Sequence, residues 1–137
     1  MSEAHQALLL EMLDLLERYA ATVKRADLEH DRETWLKAKG ALEVAAQCAV
    51  DLALRIVARR GLGVPQSYRE AFSLLVRAGV VDAPLGGELE KWAGLRNVLV
   101  HVYTALDLDR IHAALAQTAP LRAFHAVAAR ELFPRDE

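Results

Sequence analysis

Leucine and alanine recur at steps of three and four along most of this chain, and that spacing predicts a succession of helices. Over residues 3–25, Leu9, Leu13, Leu16 and Ala20 fall on one helical face, and the polar stretch 27–31 is expected to end that helix. The second helix, residues 33–60, is the longest. Its polar residues Lys39, Glu43, Gln47, Asp51, Arg55 and Arg59 come at every fourth position. They form one narrow, slowly winding stripe, in which Asp51 stands four residues before Arg55 as a favourable pair. Nearly everything else there is Ala, Val, Leu, Ile or Cys. A helix this apolar is central in a core, or is covered on a second side by another chain. Gly61 and Gly63 end it, and Pro65 prevents resumption.

Ser67 followed by Glu70 resembles a capping box and opens a third helix that Gly79 stops. Asp82, Ala83 and Pro84 mark a loop, with Gly86 and Gly87 just beyond, so the fourth helix is expected over residues 88–102. Asp107 caps a fifth. Pro120 kinks the chain or starts a last helix over 121–132. Hairpin turns of the Asn-Gly or Asp-Gly type do not occur. The expectation is an all-α single domain over residues 1–137, without internal repeats.

Composition narrows the function classes. Apolar residues make up 53% of the chain and charged residues 26%, which excludes a disordered tail and fits a compact domain that also buries surface in a partner. A net charge of -2 provides no global basic field, so any contact with RNA must be local. Cys48 is the lone cysteine; it is read as a small buried apolar residue and fits a reducing cytoplasm. One cysteine and scattered histidines give no zinc-ligand spacing, and neither a metal nor a cofactor is expected. No uncharged apolar run reaches membrane-spanning length, and residues 1–6 lack the cationic start of a signal peptide.

Residues 95–103 concentrate the chemistry. Arg96, Asn97, His101 and Tyr103 interrupt a Val/Leu run, and burying such groups costs free energy unless they are paired. Arginine clamps phosphate with two parallel donors, and histidine moves protons near neutral pH. At about 100° and 1.5 Å per residue, Asn97 and His101 are neighbours on one face, whereas Arg96 and His101 lie about 140° apart. One ideal helix does not assemble the site. The arginine reaches around, or the helix ends near His101, or a second copy supplies groups across a two-fold axis. On residues alone, the plain reading of Arg96 and His101 is a helix-end ion pair with Asp107 or Glu90. The stripe from Lys39 to Arg59 reads as a solvated face, with Asp51 as a candidate support behind the site. His5, His30, His112 and His125 read as surface or helix-face histidines.

Arg96-Asn97-x-x-x-His101-x-Tyr103 is similar to the signature of HEPN domains of the HepT type, the toxin half of HepT/MntA toxin–antitoxin systems. The small-residue run ending in Asp51, Leu52 and Ala53 resembles that family's Asp-Ile-Ala helix. Tyr68-Arg69-Glu70-Ala71-Phe72 resembles its Tyr-Arg-Glu-Ala-Phe segment, and Leu121 and Phe124 resemble its final helix. From Trp35 onward the pattern is followed in order. One departure is Lys39-Gly40, where family members often carry Glu-Arg.

The resemblance implies an up-down bundle of about five helices acting as a homodimer in the cytoplasm. It implies a metal-independent endoribonuclease with Arg96, Asn97 and His101 at a dimer cleft, leaving 2′,3′-cyclic phosphate and 5′-hydroxyl ends. It also implies an MntA-like nucleotidyltransferase antitoxin, joined with this chain in a larger hetero-oligomer, that silences the toxin by adenylylating Tyr103. The competing expectation is a catalytically weak HEPN module that dimerises and binds a nucleotidyltransferase, nucleotide or RNA.

Overall fold

The structure, a computed structural model, describes residues 2–101 and 108–134. Its helices are α1 (Ser2–Thr22), α2 (Arg25–His30), α3 (Arg32–Arg60), α4 (Tyr68–Arg77), α5 (Ala83–His101), α6 (Leu108–Leu115) and α7 (Ala119–Leu132). No strand occurs among the described residues.

Helix α3 is the axis of the bundle. It touches all six other helices, and its twelve buried residues run from Ala38 to Val57. Its apolar circumference is therefore satisfied largely within one chain, the first of the two arrangements that its composition allows. Leu36 and Val44 are the large apolar side chains it leaves exposed. Leu9, Leu13 and Leu16 of α1 are fully buried, as their spacing predicts, whereas Ala20, expected on the same face, is exposed near the helix end. Phe72 of α4 and Phe124 of α7 meet edge to face with centroids 5.5 Å apart, joining two distant parts of the chain in one core.

The helix ends follow local chemistry. Asp31 accepts hydrogen bonds from the Glu33 and Thr34 amides and so caps α3. Gly61 closes α3 at φ 65°, where the Leu62 amide returns to the Val57 carbonyl. The Ser67 hydroxyl accepts from the Glu70 amide and starts α4.

Two expectations change. The stretch 27–31 is largely helical, because the Asp27 carboxylate accepts from the Lys24 amide and Leu28 is buried in the core. Seven helical segments are thus described, where about five were expected. Helix α5 starts at Ala83, not at residue 88. Asp82 accepts from the Leu85 amide, and Pro84 in the first turn needs no intrahelical partner for its nitrogen. Gly86 is absorbed into the helix because it faces Val76: a Cβ there would lie 2.2 Å from Val76 Cγ2.

Helices α4 and α5 run antiparallel. Val76, near the end of α4, meets Gly86 near the start of α5, while Arg69 at the start of α4 meets Gly94 further along α5. This hairpin brings the first turn of α4 beside the motif. No helix among the described residues is long and apolar enough to cross a membrane.

Candidate functional site

Arg96 is half-buried on α5, between α3 and the start of α4. Its Nε donates to Gln47 Oε1 at 2.6 Å, and its Nη1 donates to Asn97 Oδ1 at 3.1 Å. Its guanidinium carbon lies 4.9 Å from the centroid of the Tyr68 ring. A guanidinium over an aromatic face is attracted by the ring quadrupole, which adds a third hold on Arg96. Among the described residues Arg96 forms no ion pair, so Glu90 is not its partner. The other candidate, Asp107, lies outside the described residues.

Gln47 is the pivot behind Arg96. Its Nε2 donates to Asp51 Oδ1 at 2.9 Å, while its oxygen faces Arg96. A guanidinium only donates and a carboxylate only accepts, so a two-headed amide is the side chain that can connect them. Asp51 Oδ2 in turn lies 3.3 Å from His5 Nε2. The continuous chain Arg96–Gln47–Asp51–His5 ties α5, α3 and α1 together. His5 Nδ1 is buried and has no hydrogen-bond partner among the described residues.

This network revises the reading of the α3 stripe. Its half-buried start pairs within α3, Lys39 with Glu43 at 3.2 Å, and its exposed end, Arg59, donates to the Leu132 carbonyl at 3.1 Å. Its middle, Gln47 and Asp51, is half-buried and faces neighbouring helices. Asp51 turns to Gln47 and His5, and among the described residues it makes no ion pair with Arg55. Gln47 one turn back on α3 and His5 on α1 together outcompete the exposed Asp51–Arg55 pair that local spacing suggests. Cys48 is buried, and burial, reinforced by the Asp51 charge, pushes its thiol up to about 11. It is an inert packing residue at neutral pH.

Asn97 is exposed and touches the Arg96 fork. His101 is the last residue of α5, one turn beyond Asn97. The reach of Arg96 to Asn97 therefore bridges much of the angular gap between Arg96 and the His101 face. The His101 side chain and the whole of Tyr103 lie outside the described residues.

Gln47, Tyr68 and His5 are the members of this cluster that the sequence did not single out. One signal was available: Gln47 is the uncharged residue in an otherwise charged stripe, four residues before Asp51. Tyr68 stands in the segment that carries the family resemblance, but its place beneath Arg96, like that of His5 beside Asp51, depends on tertiary packing.

Fold and cluster together define an all-α HEPN bundle with an arginine-centred polar site. The chain belongs to the Ribonuclease HepT-like family, whose model matches residues 9–127. The mRNA nuclease HepT of Shewanella oneidensis is 40% identical over 68 residues, which are 50% of this chain and 51% of that protein. The chain thus spans about half the length of the curated relative it matches. A tri-AMPylated HEPN toxin of Shewanella oneidensis, solved in complex with its MNT antitoxin, superposes with a TM-score of 0.83 at 24% identity, over 95% of this chain and 97% of that one. YutE of Bacillus subtilis, described as a cytosolic protein of unknown function, superposes with a TM-score of 0.82 at 18% identity, over 99% and 93%. At these identities the structural likeness establishes the fold.

Proposed function

We propose that this chain is a metal-independent endoribonuclease toxin of the HepT/MntA type, acting in the cytoplasm as a homodimer. One observation carries the reading. Arg96 is held by a ring and two neutral amides, with no carboxylate among the described residues to neutralise it, five residues before His101. A cation placed in this way is suited to a phosphate.

In the proposed reaction His101 takes the proton of a ribose 2′-hydroxyl. The 2′-oxygen attacks the adjacent phosphorus, and the bond to the 5′-oxygen breaks as that oxygen gains a proton. The products are a 2′,3′-cyclic phosphate and a 5′-hydroxyl. Arg96 stabilises the extra charge on the phosphorane-like transition state, and Asn97 orients the phosphate beside it. Asp51 supports Arg96 through Gln47. DNA lacks the nucleophile and is not cut.

Tyr103 is the proposed site of adenylylation by a nucleotidyltransferase antitoxin, the two proteins forming a hetero-oligomer. Added phosphate and bulk two residues from His101 repel and obstruct RNA. The family membership and the tri-AMPylated structural relative support this reading.

The test is cleavage of an RNA oligomer beside its 2′-deoxy analogue, with products resolved by mass. Wild type is expected to cut RNA alone and to leave cyclic-phosphate ends, and His101→Ala to be inactive. Equal cutting of the deoxy analogue rejects the mechanism. If wild type and His101→Ala bind RNA equally and neither cuts it, the chain is a binding module.

A further inference from the structure

Tyr68 and Arg69 are consecutive residues in the first turn of α4, and each reaches a different part of α5. Tyr68 lies on Arg96. The Arg69 guanidinium lies on Gly94: a Cβ at that position would be 2.2 Å from one terminal nitrogen, 3.1 Å from Cζ and 3.4 Å from Nε. The planar fork rests on bare helix backbone, in space that any other residue would fill. Among the described residues Arg69 makes no ion pair and no hydrogen bond, although it is exposed. An arginine fork presents five donors, and here none has a described acceptor.

Its position on α5 is specific. Gly94, Asn97 and His101 follow one another at steps of three and four. Gly94 and His101, seven residues apart, share a direction to within about 20° and are about 10.5 Å apart along the axis. The Arg69 fork thus lies in the same helical stripe as Asn97 and His101, two turns before the latter.

We infer that Arg69 is an RNA-binding residue that holds a backbone phosphate upstream or downstream of the scissile one. A stacked strand advances about 3.4 Å per nucleotide, so the contact falls roughly three nucleotides from the cut, and fewer in an extended strand. With a net charge of -2, the chain has no general attraction for RNA, and a local unneutralised cation supplies it. This inference rests on the ribonuclease reading.

The experiment uses the full chain carrying His101→Ala, so that bound RNA survives. Binding of a fluorescent single-stranded RNA is measured across a salt series for that parent and for versions adding Arg69→Gln, Arg69→Lys or Gly94→Ala. Thermal melting confirms folding. Arg69→Gln is expected to weaken binding about five- to tenfold and to flatten the slope of log K against log salt by about 0.7, the loss of one single-strand phosphate contact. Arg69→Lys keeps the slope and loses part of the affinity. Gly94→Ala pushes the flexible fork aside without disturbing the core, and weakens binding in the same direction. In the otherwise wild-type chain, Arg69→Gln raises KM and leaves kcat within about twofold, since the fork lies two turns from His101 along α5. Unchanged affinity and slope in folded Arg69→Gln overturn the assignment while leaving the nuclease reading intact. If wild type cuts no RNA and the His101→Ala parent binds none, both fall. If Arg69→Gln instead abolishes capture of the antitoxin with RNA binding unaltered, the fork serves an acidic protein surface and the RNA assignment is wrong.

Discussion

Arg96 and Arg122 are the same residue type in opposite settings. Arg122 of α7 lies between two carboxylates of α1, 3.0 Å from Asp14 and 2.8 Å from Glu17. Arg60 resembles it, donating through two nitrogens to Glu131, and so does Arg25 with Asp109 and Glu29. Hydrogen bonds to those carboxylates, ahead of their charges, hold all three guanidiniums above the ordinary arginine pKa. These arginines clip helices together and their charge is compensated. Arg96 is held as firmly, but by an amide oxygen on α3, an amide oxygen on its own helix and a ring. Neutral partners fix its geometry and leave its charge available. The partner's charge separates Arg122, Arg60 and Arg25, which are compensated as they join helices, from Arg96, whose charge stays available for an anion.

The largest test of that contrast is deletion. Arg96→Ala is expected to slow RNA cleavage about 10²–10³-fold, the usual loss on removing a preorganised charge-stabilising group. Arg122→Ala should leave the rate within about twofold, and equal losses in the two variants would erase the distinction. Next in size is conversion of one setting into the other. Gln47→Glu gives Arg96 a carboxylate and makes it resemble Arg122. With folding checked by melting, cleavage is expected to fall about ten- to hundredfold, as for a displaced positioning group. Adding Asp51→Asn removes the like-charge repulsion that the new carboxylate would meet, without restoring the rate. Recovery of full activity in the double variant would show that Arg96 tolerates neutralisation. Smaller still, Asp51→Asn alone loosens Gln47 and is expected to cost a few-fold in kcat with little change in KM; a change confined to KM would assign Asp51 to substrate binding. The smallest effect is on stability. Arg122→Ala should lower the melting temperature by only a few degrees, less at high salt, because exposed pairs are screened.

The same contrast explains what was legible in the sequence. Leu9, Leu13 and Leu16, the Gly61 stop and the Ser67 cap are local signals, and each does in the fold what its spacing predicts. Helix α2 and the early start of α5 were missed because single side chains, Asp27 and Asp82, cap backbone within stretches that read as loop. At the site, Arg96 and Asn97 are adjacent in sequence and in space. Gln47, Tyr68 and His5 are brought to them or to Asp51 by packing between helices. The Asp51–Arg55 pair was expected because i,i+4 spacing is visible along a sequence, whereas a competing partner 46 positions away on α1, His5, is not.

Gly86 connects the core to this chemistry as a register stop. Val76 is stiff at χ1, and the missing Cβ at Gly86 fixes how closely, and in what phase, α4 meets α5. One residue of slippage between the two helices would rotate the first turn of α4 by about 100° and carry Tyr68 off the Arg96 plane. Gly86 lies ten residues before Arg96, about 15 Å along the helix. A single methyl at that remote position would act as a wedge, detuning the arginine without touching it.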